Sequence, residues 1–589
     1  KISEPEISVS RYVTRDGNYF TVTLTIENNG EVPISNLTVS DTDMGFQCLK
    51  TGWIQTKPSG GDWRWGHSIE YEVETQGAGH SSTMSKDIGV TLELNEAIRL
   101  EYYAVPALFF PTFEVTTYTF GETIEVSYQV EGGEYSLTEP LSTWVVSSNM
   151  LDSAFSDADY LIVTKPPALF ANYDDNAVNE LLATMAELAK EKNGVLGHIC
   201  YGGDADSLKH SISPGGAWYE KLTSLHVIGD FDGITCMAPG PFDYLLLVGE
   251  APDIVPSFDW PCEGKTVRIT DYPYSNIAGD AQPELKVGRI IGSTAEELIS
   301  PIQASIDVYK HIEDYDASDA LLISGPEGGW EWFVKDAEIA KDKLTGKGVN
   351  VGDNMVHTEY YNGKIVVLRY ALRIGGGYGD DTNQRYATSM DELSTSGSWD
   401  NGYYSDDHRW TLNEYAAWLL WAEGRLENIS KEYAISNADS LITDERLDEA
   451  MRIAERIQAD RSGRGGTYGW WYTYFEDRDG AKQQRFNEIY DRAANKDIIL
   501  FTGHGNSGSW PNVLGPTGSL SVERINFGNT RPIVIAFSCL TGNYGDNNSI
   551  ARAFLKNNAA VYIGATEESN SGWNDQVMGE LLWRHWSKT

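Results

Sequence analysis

The sequence predicts a multidomain protein in which an all-β segment precedes an α/β unit built of two subdomains. Two observations carry this reading. The first ~130 residues alternate apolar and polar side chains with period two, between Asn- and Gly-rich turns. From near residue 140 the texture changes, and short apolar runs alternate with stretches of helical spacing, the pattern of a parallel sheet covered on both faces. At 589 residues the chain has room for several such domains. The expected boundaries are 1–135 for the β segment, 136–315 for the first α/β subdomain and 316–589 for the second, with an insertion at about 350–490.

In the β segment, "YFTVTLTIENNG" (19–30) points Phe20, Val22, Leu24 and Ile26 to one face and Thr21, Thr23 and Thr25 to the other, then turns at Asn29-Gly30. "GETIEVSYQVEGG" (121–133) repeats the design with Ile124, Val126, Tyr128 and Val130. Each sheet therefore buries one face, which predicts a sandwich. The segment resembles the immunoglobulin-like modules found on cell surfaces, and it holds no catalytic constellation.

The first α/β subdomain opens with the strand "DYLIVTK" (159–165). "NAVNELLATMAELAKEKNG" (176–194) follows, a helix with Val178, Leu181, Leu182, Met185 and Leu188 on one face and Gly194 as its stop. "FDYLLLVGEAPDIVPS" (242–257) contains a buried strand. "ELKVGRIIGSTAEELISPIQASIDVYK" (284–310) gives a strand and a helix entered through the capping box Thr294-x-x-Glu297. The second subdomain starts with the strand in "DALLISGPEGG" (319–329) and the helix in "WEWFVKDAEIAKDKL" (330–344). Gly-, Tyr- and Trp-rich segments then surround one clear helix, "LNEYAAWLLWAEGRL" (412–426), which reads as an insertion carrying long loops. Regular α/β order resumes with "DIILFTG" (497–503), "RPIVIAFS" (531–538), a helix near 549–557 and "AAVYIGAT" (559–566).

Composition narrows the function. A net charge of -41 argues against nucleic acid as a partner, because phosphate binding needs clustered Lys and Arg, and it disfavours anionic membranes. No apolar run reaches the ~18 residues of a membrane span. The chain opens at Lys1 with no apolar segment after it, so a signal peptide is either removed or not included. Eighteen Trp and 32 Tyr among Gly- and Asn-rich turns point to a secreted or cell-surface protein. Five cysteines, Cys48, Cys200, Cys236, Cys262 and Cys539, contain no CxxC pair and give no zinc site. Two disulfides beside a Cys539 thiol, and five reduced thiols, both fit an odd number. Asp-rich loops suit calcium, without an identified set of ligands.

The chemistry concentrates in two places. "FTGHGNSGSW" (501–510) sets His504 between glycines directly after an apolar run, and "IVIAFSCLTG" (533–542) sets Cys539 after the next one. In an open parallel sheet the loops at the carboxyl ends of strands form the binding crevice. Adjacent strand ends stand roughly 5–10 Å apart, within reach of a thiol–imidazole pair. A thiol of pKa ~8.5 is only a few per cent thiolate at neutral pH, and a neighbouring imidazole removes its proton and later protonates a leaving amine. Gly505 and Cys539 offer backbone N–H groups for an oxyanion, and Gly505, lacking a Cβ, permits close approach. Either residue alone reads as a buried apolar thiol or a turn histidine; their repetition on successive strands reads as a dyad.

"TGHGNSGSW" followed by "FSCLTGNY" resembles the His-Gly and Cys signatures of the gingipains, cysteine peptidases of caspase-like fold. "YLLLVGEAPDIVP" and "DAQPELKVGRIIGSTAEELISPIQASIDVYK" resemble that family's first catalytic subdomain, and "LLISGPEGG" and "ATEESNSGWNDQVMGELL" resemble parts of its second. The resemblance spans roughly 155–345 and 495–589. It implies Cys539 as nucleophile, His504 as acid/base, Glu327 as the carboxylate orienting the imidazole, and Gly505 and Cys539 as oxyanion donors. It implies Asp336 and Trp573 as the pocket for an Arg or Lys side chain, structural calcium, and protein or peptide substrates, with no cofactor for the chemistry. In "ADRSGRGGTYG" (459–469), Arg461 and Arg464 lie in a Gly-rich stretch of an acidic chain and are expected self-cleavage sites of a zymogen. Three rivals share parts of the pattern: a legumain-like enzyme cutting after Asn on the same dyad, a non-catalytic surface protein on the same scaffold, and a carbohydrate-active enzyme, which lacks a carboxylate pair of recognisable spacing.

Overall fold

The computed structural model describes residues 6–77, 79–110, 117–130, 133–139, 144–200, 202, 204–213, 216–222, 226–231, 234–238, 243–250, 253–260, 268–276, 285–311, 318–325, 332–352, 355–357, 368, 371–372, 385–386, 410–461, 487–511, 513–517, 521–528 and 530–566. The chain forms two compact units, one of Lys1–Asp316 with Asn543–Asn547 and Asn558–Val561, the other of Ala317–Gly542, Asn548–Asn557 and Tyr562–Thr589.

In the first unit the period-two pattern holds. Strand Tyr19–Asn28 buries every second residue, with Phe20, Val22, Leu24 and Ile26 fully enclosed. Strand Thr119–Val130 does the same through Ile124 and Val126 in a six-stranded sheet. The two sheets meet across a core that includes Phe20, Phe46 and Phe120. Their contact also encloses charge. Arg11 pairs with Asp41 at 2.6 Å, and the Tyr102 hydroxyl donates to both Asp41 and Asp43. Burial holds the Asp43 carboxyl well above the usual carboxylate range, and the neighbouring Asp41 charge adds to the effect.

The β segment does not end where the α/β pattern begins. Strand Ala97–Phe110 pairs antiparallel with Tyr19–Asn28 and Phe46–Lys57 along its first part. Its last four residues, Ala107 to Phe110, pair parallel with Leu196 to Ile199. One nine-stranded sheet therefore runs from Ile7–Asp16 through Ala97–Phe110 into the parallel strands Gly194–Ile199, Tyr160–Thr164, Tyr244–Val248 and Lys286–Ile290. The boundary expected near residue 135 divides the sequence pattern but not this sheet.

The helix expected at 176–194 spans Asp175–Glu191 and is capped by Asp174. Gly194 is not its stop. Asn193 takes the left-handed conformation (φ 50°), and Gly194 opens the next strand, where a Cβ would stand 2.6 Å from the Tyr160 carbonyl oxygen. Thr294 caps helix Ala295–Lys310, but Glu297 reaches back to the N–H of Ser293 rather than of Thr294. Cys48 and Cys200 are buried thiols, which removes the two-disulfide alternative.

The second unit is organised on five strands in the order Met355–His357, Ala320–Ser324, Ile498–Thr502, Ile533–Phe537, Val561–Gly564, the first four parallel. Helix Trp332–Gly346 lays Ala337, Ala340 and Leu344 on Leu322, Ile498, Leu500 and Ile535. The insertion is more helical than expected. Helices Leu412–Ala422, Lys431–Ser436, Ala438–Leu441 and Asp444–Arg461 share a core of their own around Trp418 and Leu419. Ala450, Ala454 and Ile457 supply its third side at helical spacing. The Gly-rich stretches 373–384 and 462–486 lie outside the described residues.

Candidate active site

The His504 and Cys539 strands are direct neighbours. Ile498–Thr502 and Ile533–Phe537 run parallel with Thr502 opposite Phe537. His504 and Cys539 each lie two residues beyond that pair, so the register sets them level at the carboxyl ends of adjacent strands. The loops touch. A Cβ on Gly505 would stand 2.5 Å from the Cys539 carbonyl oxygen, 2.6 Å from Thr541 Cγ2 and 2.7 Å from Ser538 Oγ. Only glycine permits this approach, because real Cβ atoms do not sit below 3.0 Å.

The His504 loop is held from several sides. The Gly325 N–H donates to the Thr502 carbonyl at 2.7 Å, and a Cβ on Gly503 would meet Gly325 Cα at 3.0 Å and the Phe501 ring at 2.6 Å. Asn506 and Ser509 exchange backbone hydrogen bonds, and Asn506 Oδ1 accepts from the Gly508 N–H. This tight turn sends Trp510 back into the core, where it stacks on Phe501 at 4.3 Å between ring centroids. The imidazole of His504 is part exposed and forms a T-shaped pair with the Phe333 ring, centroids 5.1 Å apart at 89°. Burial of the rest of the ring pushes its pKa below the ordinary value, because the cation is deprived of water.

Cys539 is a half-buried thiol between two buried neighbours, Ser538 and Thr541. Leu540 follows it in the left-handed conformation, φ 62°. A branched side chain costs roughly 1–2 kcal/mol there, and such strain gathers at functional turns. The turn is closed by the Gly542 N–H donating to the Ala565 carbonyl at 2.8 Å. This arrangement sets a thiol and an imidazole on touching loops, the group types that acyl transfer uses.

The other expected residues fall as follows. Asp336 is half-buried in helix Trp332–Gly346, one turn beyond Phe333 and so on the same helical side as the ring that meets His504. Glu327 and Trp573 lie outside the described residues, as does Arg464; Glu327 is two positions past Gly325. Arg461 is the last residue of helix Asp444–Arg461. Phe333, Leu540 and Trp510 were not anticipated. The signal for Trp510 was present in "NSGSW", a turn followed by a large apolar residue. Among the described residues no group of three or more His, Cys, Asp or Glu side chains is placed to hold a metal. Among them, too, no helix is long and apolar enough to cross a membrane.

No curated protein matches the chain. A solved structure described as a protease is 13% identical over 71% of this chain and 61% of its own length, TM-score 0.34. A family 3a carbohydrate-binding module from a Clostridium thermocellum scaffolding is 13% identical, covers 22% of this chain and 99% of its own, TM-score 0.15. A collagen-binding domain from a Staphylococcus aureus adhesin is 11% identical over 22% of this chain and 95% of its own, TM-score 0.14. Likenesses this low carry no argument. The model of peptidase family C25, by contrast, matches residues 153–402 and 426–589, most of the chain. Mixed α/β architecture with large sheets accords with a caspase-like peptidase. The chain belongs to peptidase family C25, the gingipain family, and is a cysteine peptidase, a hydrolase acting on protein substrates.

Proposed function

We propose that the chain is a secreted endopeptidase whose dyad is Cys539 and His504 and which cuts after Arg or Lys. The observation that carries the dyad is the in-register placement of both residues beyond Thr502 and Phe537, with Gly505 against the Cys539 carbonyl. His504 takes the thiol proton, and the sulfur attacks the substrate carbonyl carbon. The carbonyl π electrons move to oxygen, where the N–H groups of Gly505 and Cys539 receive the oxyanion. The intermediate collapses, the C–N bond breaks, and the imidazolium protonates the leaving amine. Water then gives a proton to His504 and adds to the thioester; the C–S bond breaks, the acid leaves, and the thiolate regains its proton. Glu327 would orient the imidazole and stabilise its cation.

Cleavage after a basic residue is supported by Asp336, a carboxylate one helical turn from Phe333, which would face a guanidinium or ammonium, with Trp573 as an aromatic wall. Arg464 in its Gly-rich setting, with Arg461 at the end of helix Asp444–Arg461 rather than in a loop, supports a self-processed zymogen. The composition supports export, an immunoglobulin-like role for the β segment would be adhesion or prosegment, and calcium would be structural.

The test is hydrolysis of fluorogenic peptides carrying Arg, Lys, Asn, Asp or Leu before the bond, under reducing conditions, with and without calcium. Cleavage after Arg or Lys that falls at least about tenfold in Asp336→Asn supports the reading. Cleavage after Asn rejects the pocket and keeps the dyad, and silence after limited proteolysis and calcium favours a non-catalytic surface protein.

A further inference from the structure

Behind the two loops lies a part-buried hydrogen-bond chain that touches both. Trp510, six residues past His504, is fully enclosed and donates its indole N–H to the Tyr562 hydroxyl at 3.2 Å. That hydroxyl shares a hydrogen bond with the Thr541 side chain, and burial raises its pKa far above the ordinary tyrosine value. Thr541 Oγ1 donates to the Ser538 carbonyl at 3.4 Å and accepts from Ser538 Oγ at 3.2 Å. Tyr562 thus accepts from Trp510 on one side and bonds Thr541 on the other.

The packing around Thr541 is equally specific. Its hydroxyl has room only because residue 564 is glycine, where a Cβ would stand 2.8 Å from Thr541 Oγ1. Its methyl group is the atom 2.6 Å from a Cβ built on Gly505. Thr541 thus touches the residue after His504 while bonding the residue before Cys539. Between Ser538 and Thr541 the backbone must pass through the left-handed Leu540, a conformation that persists only where its surroundings impose it.

We propose that Thr541 and Tyr562 are positioning residues of the peptidase: the chain Trp510–Tyr562–Thr541–Ser538 fixes the Cys539 turn against the His504 loop, and through it the distance and direction from thiol to imidazole. This rests on the reading of Cys539 and His504 as the dyad. Neither residue touches substrate. They act by holding the turn in one geometry, so their loss slows chemistry and leaves substrate affinity alone.

The experiment compares Tyr562→Phe, Thr541→Val and Thr541→Ser with wild type and Cys539→Ala. Two readouts are taken: kcat and KM on the best fluorogenic peptide, per titrated active site, and the pH profile of Cys539 alkylation by iodoacetamide, which needs no substrate. The expected result is kcat down about 10- to 30-fold in Tyr562→Phe and Thr541→Val, the loss of one or two buried hydrogen bonds. KM stays within about twofold, the alkylation profile moves away from that of wild type, and Thr541→Ser recovers most of the loss. Wild-type kcat and an unmoved alkylation profile in both variants, with Cys539→Ala inactive, overturn the positioning role and keep the dyad. Hydrolysis that survives Cys539→Ala overturns both. Tyr562→Phe keeps the ring, so folding is expected; if it unfolds, Thr541→Val against Thr541→Ser decides alone.

Discussion

Gly505 stands so close to Cys539 that one added carbon would lie 2.5 Å from the Cys539 carbonyl oxygen. Because that carbon would also meet Thr541 and Ser538, relief requires the two loops to part. Gly505→Ala is therefore expected to lower kcat/KM at least about 100-fold and to cost about 1–3 kcal/mol of stability by overpacking. Steady-state kinetics and urea unfolding check this. Wild-type kinetics would show that the contact does not set the geometry of the site.

The acid limb of activity reports His504. Burial lowers its pKa, so the neutral imidazole that serves as base survives further into acid than an exposed histidine would. The acid limb of kcat/KM is expected below pH ~6.5, the ordinary histidine value. Removing the covering ring with Phe333→Ala should move the limb upward toward that value. A limb at or above pH 6.5 in wild type, unmoved in the variant, contradicts the assignment.

Acid stability depends on another histidine. His198 is fully buried, with Nδ1 2.9 Å from the Gly79 carbonyl oxygen and no hydrogen-bond partner for Nε2 among the described residues. Burial, against the Gly79 hydrogen bond and with a smaller contribution from neighbouring His80, brings its pKa down to about 4. The unfolded chain binds a proton near pH 6.5 while the folded chain does not. The contribution is complete above pH 6.5 and is lost as pH falls toward 4, about 3 kcal/mol in all. Urea unfolding at pH 7.5 and 4.5 should show a loss that is smaller by about this amount in His198→Phe. An equal loss in both proteins would show that His198 does not titrate in this window.

Leu540 sits where a side chain is strained, at φ 62°. Leu540→Gly should fold with stability within about 1 kcal/mol of wild type, since relief of strain offsets glycine's extra unfolded-state entropy. Leu540→Val, β-branched at the same backbone angle, should lose at least about tenfold in kcat. Thermal melts and kinetics separate the two, and a Val variant with normal kcat would remove strain at Leu540 from the account.

Much of this was legible in the sequence where the signal is local. Phe20, Val22, Leu24 and Ile26 point inward because a strand repeats every two residues, and the sequence carries that period plainly. The placement of His504 and Cys539 at adjacent strand ends was legible because each follows an apolar strand, and successive strands here are neighbours. What failed was non-local or abutting. Gly194 was read as a helix stop because helix and strand adjoin with only Asn193 at the left-handed position between them. The shared strand Ala97–Phe110 gave no sign that its last residues change partners, since pairing is a property of the sheet rather than of the strand. Helices between Lys431 and Arg461 were hidden between Gly- and Trp-rich flanks. The Trp510–Tyr562 bond joins residues 52 positions apart, and nothing near either residue announces it.

The most direct test of the central claim is covalent. The protein is treated with a peptidyl chloromethyl ketone carrying Arg at the reactive end, and adducts are mapped by mass spectrometry beside residual hydrolysis of an Arg peptide, for wild type, Cys539→Ala and His504→Ala. The account predicts one adduct per chain, on Cys539, with activity lost in proportion to labelling, no adduct in Cys539→Ala, and slowed labelling in His504→Ala. Hydrolysis that persists with Cys539 fully alkylated or replaced by Ala would contradict it.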